Sequence, residues 1–320
     1  MKVLVTGATG FLGGSLVRSL IKKGRIVKAF VRPESNSAML RRLGVELCFG
    51  DLLCVETLRE ALRDVETVFH CAAQVALRPT QRLFDTNVQG TKHFLQASLD
   101  AGIAKVIHMS SAAVVAGNDA AVITDRMPYA PENDYAVSKI KAEKIAFQFR
   151  KKGLKIAIMR PCSIIGPNEP HFLPLLVRML KSRCMFVVGD ARVRWHLVYI
   201  DDVVNAVLLA ERSDETFHDS YIIAGKEISS KREVLDCMAD VLGVRRPWRM
   251  PKPLAYGIAA LAEAIRRAGI GEIPFTYAVI ESFYKDRVFD ISHAREQLGY
   301  DPQFGVEEAI QRSLSGYVGR

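Results

Sequence analysis

The chain has 320 residues, 49% hydrophobic and 25% charged, with 44 basic against 35 acidic side chains for a formal net charge of +9. That length fills a large core and reads as one α/β unit with a smaller appended lobe, or as two domains, in a composition ordinary for a globular enzyme. The basic balance suits an anionic ligand, but with no basic-aromatic array, zinc spacing or helix-turn-helix it does not describe a nucleic-acid binder.

Residues 2–6 form an apolar run of strand length, followed by glycines at 7, 10, 13 and 14 and then by helical spacing over 11–23. Strand, glycine turn and helix start is the context that a phosphate cradle requires. Gly7 permits the tight turn, Gly10 lets a pyrophosphate approach the backbone, and Gly13 lets the helix pack on the sheet. With Thr9, Phe11 and Leu12 they form the expected cradle, where the amides and dipole of the helix N-terminus favour an anion. A second strand over 26–31 closes with Arg32-Pro33, where the adenosine ribose of a dinucleotide is expected. An acidic residue there would suit NAD and an arginine the extra phosphate of NADP. Arg32, with Ser35 and Asn36, favours NADP(H) over NAD(H), although Glu34 stands close by.

A third strand, 45–49, ends in Gly50-Asp51-Leu52. Asp51 is open to two readings, acceptor for an adenine amino group or N-cap of a helix over 55–63. The fourth strand, 67–70, leads to Cys71-Ala72-Ala73, where small side chains leave room for a cofactor. Asn87 falls within a helix expected over 85–100, a poor place for Asn beside Gly90 unless it has a hydrogen-bonding role. The fifth strand, 105–109, ends in Ser110-Ser111. Tyr135 and Lys139 then stand four apart on a helix running to about 150, so a phenol and an ammonium share one face. A phenol of pKa about 10 is a poor proton donor or acceptor near neutrality, and a neighbouring ammonium would lower it.

Together these stretches resemble the extended short-chain dehydrogenase/reductase superfamily (the NAD-dependent epimerase/dehydratase family). The resemblance rests on Thr-Gly-x-x-Gly-x-x-Gly at 6–13, Tyr-x-x-x-Lys at 135–139, Gly50-Asp51-Leu52, His70-Cys71-Ala72-Ala73, Asn87-Val88-x-Gly90-Thr91 and Ser110-Ser111. It continues through Arg160-Pro161-Cys162-Ser163, Tyr199-Ile200-Asp201-Asp202-Val203 and Asp290-Ile291-Ser292, and so covers nearly the whole chain. It implies a Rossmann-type doubly wound parallel sheet holding NAD(P), with a smaller, discontinuous C-terminal substrate lobe. The cofactor domain is expected over 1–165 with a return at about 196–223, and the lobe over 166–195 and 224–320. In the resemblance Tyr135 is the acid/base, Lys139 lowers its pKa and holds the nicotinamide ribose, and Ser111, with Ser110 as its rival, holds the substrate oxygen. Tyr135, Lys139 and Ser110 also count among the residues expected at the cofactor. Asn87 supports that region, and Pro161 and Ser163 are placed near the nicotinamide amide.

The substrate half speaks less clearly. Helices are expected over 171–181 and 231–243 and strands over 193–199 and 219–223. Sugar-nucleotide members of the resembled family carry an arginine where this chain has Trp195. Trp195 is open to two readings, a wall for an apolar or ring substrate, or core packing. Within the stretch 251–270, residues 251–267 resemble a segment of the 3β-hydroxysteroid dehydrogenase-like and dihydroflavonol-reductase-like branches. Its apolar Leu254, Tyr256, Ile258, Leu261 and Ile265 suit a lid, a membrane-surface helix or a helix packed on the lobe.

Six cysteines with no Cys-x-x-Cys pair, several in apolar runs, read as buried reduced thiols of a cytoplasmic protein. Seven histidines show no pair at metal-ligand spacing, so no metal is expected. A chain that opens on a strand is expected to carry no signal peptide. Residues 254–265, the longest apolar helical run, are too few to span a bilayer, leaving only peripheral membrane contact open. The resemblance also implies a homodimer. The expected activity is exchange of a secondary alcohol and a ketone on a hydrophobic or ring-containing small molecule. The alternatives are a sugar-nucleotide epimerase or dehydratase with tightly held NAD, and a dinucleotide-sensing protein without activity.

Overall fold

A computed structural model describes residues 2–75, 80–212, 215–267, 280–281 and 283–318, leaving out the side chain of Arg266. The chain divides into two compact units: Met1–Cys162, Ile200–Ala224 and Phe289–Pro302 in the first, Ser163–Tyr199, Gly225–Val288 and Gln303–Arg320 in the second.

In the first unit, β1 (Lys2–Thr6), β2 (Ile26–Val31), β3 (Glu46–Phe49), β4 (Thr67–His70), β5 (Lys105–Met109) and β6 (Ile156–Pro161) alternate with helices and join the strand Ser220–Ile223 in one sheet. The order is Ser220–Ile223, β6, β5, β4, β1, β2, β3, and every pairing is parallel. Parallel strands covered on both faces need apolar residues at nearly every position, and Val3, Leu4 and Val5 of β1 and Ile156 to Met159 of β6 are fully buried. The flanking helices include α1 (Phe11–Lys22), α2 (Ala38–Arg42), α3 (Val55–Ala61), α4 (Gln81–Phe84), α5 (Thr91–Asp100) and α6 (Asp134–Lys151), and later in the chain Ile200–Arg212. Leu58 of α3, Phe94 and Leu95 of α5 and Phe149 of α6 bury against Val68 and Val106 of the sheet. Strand order reverses between β1 and β4, and ligands of such sheets bind beyond the strand ends at that point.

One helix was expected over 85–100. The chain instead enters α4, passes through a π-helical turn at Asp85–Gly90 and continues as α5. The return to the first unit begins at Ile200, and a further return, Phe289–Pro302, joins it where the sequence expectation put 224–320 wholly in the lobe. Its ties are local: Asp290 N donates to Ile123 O, and the buried Tyr300 hydroxyl donates to Ala224 O at 2.9 Å. His293 adds contacts to Asp125 and Asp219 at 3.3 and 3.1 Å.

The second unit is built from short pieces. Ser163–Ile165 pairs with Leu197–Tyr199, Arg194–Trp195 with Ser229–Ser230, and Phe186–Val188 with Trp248–Met250. The strand expected over 193–199 breaks at His196, whose amide and ring bond Arg287 O and Gly225 O. Helix Lys231–Leu242 begins with a capping box, Ser230 with Glu233, and stops at Gly243 in the left-handed region. Helix Lys252–Arg267 buries Ala255, Ala259 and Ala262, not its large apolar side chains; Leu254 and Leu261 are 50% and 61% exposed. Residues 268–270 of the stretch read as lid, membrane helix or packed helix lie outside the described residues. All six cysteines are free thiols, but only Cys162 is buried, and Cys184 is exposed. No described helix is long and apolar enough to cross a membrane, and no group of described residues has the make-up of a metal site.

Candidate active site

The glycine loop joins β1 to α1. Gly7 has φ +66°, and a Cβ there would stand 2.7 Å from Ala72 N. A Cβ on Gly13 would stand 2.2 Å from Gly7 O, so the first turn of α1 lies directly on the loop. No side chain caps α1, and no acid occupies its first turn. Its N-terminus therefore keeps its positive end for an external anion. That uncapped helix above a cradle too tight for side chains fits a dinucleotide pyrophosphate.

A cleft of about 270 Å³ opens at the loop. It brings together Gly7, Thr9 and Gly10 with Ala72 and Ala73, and at its other end Arg32, Asp51 and Leu52. Phe11, Leu12 and Gly13 form the first turn of α1 behind it, and Asn87, Ser110, Tyr135, Lys139 and Pro161 lie outside its lining. Asp51 is not a helix N-cap, since Cys54 holds that position; its Oδ1 accepts from Leu53 N at 2.9 Å in a local turn. Arg32 is half exposed and touches Glu34 at 3.4 Å, and Ser35 and Arg82 share its cleft. The Arg32 guanidinium and the Ser35 hydroxyl suit a phosphate at this end.

The second cluster lies past β5 and along α6. Asn133 caps α6, accepting from Ala136 N at 2.9 Å, and so fixes the turn that carries Tyr135. Tyr135 is half-buried and shares a hydrogen bond with Ser111, which also accepts from Ala113 N at 3.2 Å. Burial raises the Tyr135 phenol and the Ser111 bond opposes that rise. Lys139 Nζ donates to Met109 O, and burial pushes its own pKa down to about 8. Ser110 is buried, and its hydroxyl finds no partner among the described residues.

Two buried polar groups tie these pieces together. Asn87 accepts from Gln74 N at 2.7 Å and donates to Gln74 O and Ser138 Oγ; Ser138 in turn donates to the carbonyl of Tyr135. Thr6 Oγ accepts from Ala72 N and is hydrogen-bonded to His70 Nδ1 at 2.9 Å, and His70 Nε2 is hydrogen-bonded to Thr91 Oγ at 3.2 Å. Burial pushes His70 down to about 3 and keeps it neutral. His70 entered the sequence reading only as a motif letter, and Gln74, Arg82, Asp85 and Thr86 of the cleft were not foreseen. Thr80, which caps the helix by accepting from Leu83 N, and the Gln-to-Asp spacing at 81–85, which forms a side-chain hydrogen bond, are local signals that a helix begins earlier.

The second unit holds its own cavity, of about 410 Å³. Met179, Met185, Phe186, Trp195 and Phe283 give it an apolar wall. Trp195 Nε1 donates to Ser163 Oγ at 3.2 Å, so Ser163, expected near the cofactor, stands in this wall. The first unit can thus hold a dinucleotide and exchange a proton through a phenol, and the second can take an apolar body.

A family model described as the NAD dependent epimerase/dehydratase family matches residues 3–224. Sterol demethylase protein B of Methylococcus capsulatus is 34% identical over 317 residues, spanning 94% of each chain. The 2-alkyl-3-oxoalkanoate reductase of Shewanella oneidensis is 30% identical over 327 residues, spanning 96% of this chain and 84% of that protein. Among solved structures, UDP-glucose 4-epimerase of Thermotoga maritima aligns with a TM-score of 0.80 at 22% identity, over 99% of this chain and 98% of that one, a likeness of fold alone.

Proposed function

The chain belongs to the NAD-dependent epimerase/dehydratase family of extended short-chain dehydrogenases/reductases, and from that premise we propose that this NAD(P)-dependent oxidoreductase interconverts a secondary alcohol and a ketone on a hydrophobic or ring-containing small molecule. The observation that carries this reading is the Met-, Phe- and Trp-lined cavity of the second unit; the family resemblance adds that Trp195 stands where sugar-nucleotide members carry an arginine. The relatives named for sterol and oxoalkanoate chemistry support the same class. Arg32 in the cleft lining, beside Ser35, supports NADP(H) over NAD(H). A cytoplasmic homodimer completes the reading, on family resemblance.

Bound NADP(H) supplies a hydride at its nicotinamide. The first turn of α1 and Gly7, Thr9 and Gly10 hold its phosphates, Asp51 and Leu52 its adenine, and Ala72 and Ala73 leave it room. On the family resemblance, Pro161 would help hold its nicotinamide end. Tyr135 gives its hydroxyl proton to the carbonyl oxygen as that oxygen gains charge, and takes it back in the reverse direction. Ser111 bonds the same oxygen and orients it. Lys139, a buried ammonium, favours the phenolate once Tyr135 has given up its proton. Asn87 fixes Tyr135 through Ser138. Removing only the hydroxyl isolates the proton step: Tyr135→Phe is expected to lower kcat by roughly 10²- to 10⁴-fold with NADPH affinity unchanged. Intact turnover in that variant would overturn the mechanism.

A further inference from the structure

Helix α6 places a carboxylate one turn beyond Lys139. Tyr135, Lys139 and Glu143 follow at intervals of four, so they share one helix face. Lys139 and Glu143 are both buried, at 3% and 0% exposure. An ammonium taken out of water gives up its proton more readily unless an anion compensates it. The groups that face Lys139 from the sheet are His70 of β4, Cys71 just past it, and His108 of β5. Burial keeps all three neutral: it pushes His70 down to about 3, His108 well below its ordinary range and Cys71 up to about 12. Met109 O accepts from Lys139, but a carbonyl carries no full charge. Among the described residues Glu143 is the one carboxylate that acts on Lys139, and it opposes the downward push of burial.

Glu143 is itself locked in place. Arg160 of β6 gives it a bidentate pair, Nε at 2.9 Å and Nη2 at 2.6 Å, and the Tyr129 hydroxyl donates to it at 2.7 Å. Burial and Glu143 push the Tyr129 phenol up, so it stays a donor. Arg160 Nη1 goes on to Asp125 O at 2.8 Å, and Arg150, farther along α6, also feels Glu143. Both carboxylate oxygens are thus taken by other partners, and Glu143 acts on Lys139 through space along the helix, where low-dielectric surroundings screen it little.

We propose that Glu143 is a positioning residue for the proton step, whose fixed negative charge holds Lys139 as a cation so that a phenolate at Tyr135 has a positive partner. The inference rests on the proposed function for the role of Lys139 toward Tyr135. Arg160 and Tyr129 serve it by fixing the carboxylate.

The test reads Lys139 directly and needs no substrate. The intact protein, labelled isotopically on lysine, is titrated with pH while its side-chain ammonium signals are followed by nuclear magnetic resonance, and Lys139→Met assigns the signal. Wild-type Lys139 is expected to titrate at about 8. In Glu143→Gln the titration moves down by about one pH unit or more, a tenfold loss of proton affinity. Glu143→Asp, which keeps the charge, restores most of it. Glu143→Gln leaves Arg160 buried without its partner and costs stability, so Glu143→Gln/Arg160→Met is measured beside it. Arg160 acts on Glu143 and not on Lys139, so the downward move persists in the double variant. NADPH binding by each variant reports that the first unit is folded. An unmoved Lys139 titration would overturn the inference and leave Glu143 a structural partner of Arg160. Recovery of the wild-type titration in the double variant would also overturn it, assigning the shift to a bare guanidinium. With an alcohol substrate, the rising pH limb of oxidation moves to higher pH in Glu143→Gln, because a phenolate forms less readily beside a neutral lysine. A limb that stays in place while Lys139 moves would overturn the link to Tyr135. If Lys139 moves as expected while no hydrophobic alcohol or ketone is turned over, the proposed function fails and the control of Lys139 by Glu143 stands.

Discussion

Ser111 and Ser110 are adjacent in sequence and opposite in circumstance. Ser111 shares a hydrogen bond with Tyr135, whereas Ser110 is buried with no partner for its hydroxyl among the described residues. Ser111→Ala is therefore expected to lower kcat on a ketone substrate well below that of Ser110→Ala; the reverse ranking, measured by steady-state kinetics, would move the oxygen-binding role to Ser110. His70 makes a prediction about stability. Its folded value of about 3 lies below the ordinary 6.5. Between these values the unfolded chain binds more protons, so this contribution is fully present above pH 6.5 and is lost as pH falls toward 3, by up to about 1.4 kcal/mol per unit. Urea unfolding across that window should give a shallower pH slope for His70→Gln than for wild type; parallel slopes would show that His70 is not held neutral. At this scale Tyr135 and Lys139 were legible from their spacing, because four residues on one helix make a face. That Lys139 turns to Met109 O was not, because the partner lies 30 positions away on another element.

The glycine loop was the most legible element, since strand, turn and helix start are local signals in a fixed order. The structure adds what spacing does not give: the tightest contact is Gly13 on the carbonyl of Gly7, backbone against backbone. Gly13→Ala must push α1 off the loop, with a stability cost of about 1–3 kcal/mol and a loss of NADPH affinity. Calorimetric melting and fluorescence titration check both, and a variant that binds NADPH like wild type would contradict the cradle. The π-helical turn at Asp85–Gly90 was not legible, because a reading at 3.6 residues per turn has no place for it. Asn87 within it reaches Gln74 and Ser138 at once. The helix Lys252–Arg267 misled in another way. Its large apolar residues marked a face, yet alanines are the buried side, where small residues permit close packing.

Across the whole molecule, the parallel sheet and the cofactor end could be read because alternating strands and helices repeat a simple pattern. The second unit could not be read in the same way. Its cavity draws on Ser163, Trp195, Lys231, Phe283 and Arg287, which share no element and no period. The segment Phe289–Pro302 likewise joins the first unit through single hydrogen bonds from Asp290 and Tyr300 and contacts of His293, none of them visible as periodicity. The substrate class therefore rests on the part of the chain where sequence alone says least. The most direct measurement is nicotinamide absorbance during incubation of the purified protein with a panel of hydrophobic ketones, in parallel with NADPH and NADH. The account predicts net oxidation of cofactor matched by alcohol formed, faster with NADPH. Protein that carries NAD through purification, consumes none on any ketone and interconverts sugar nucleotides would contradict it.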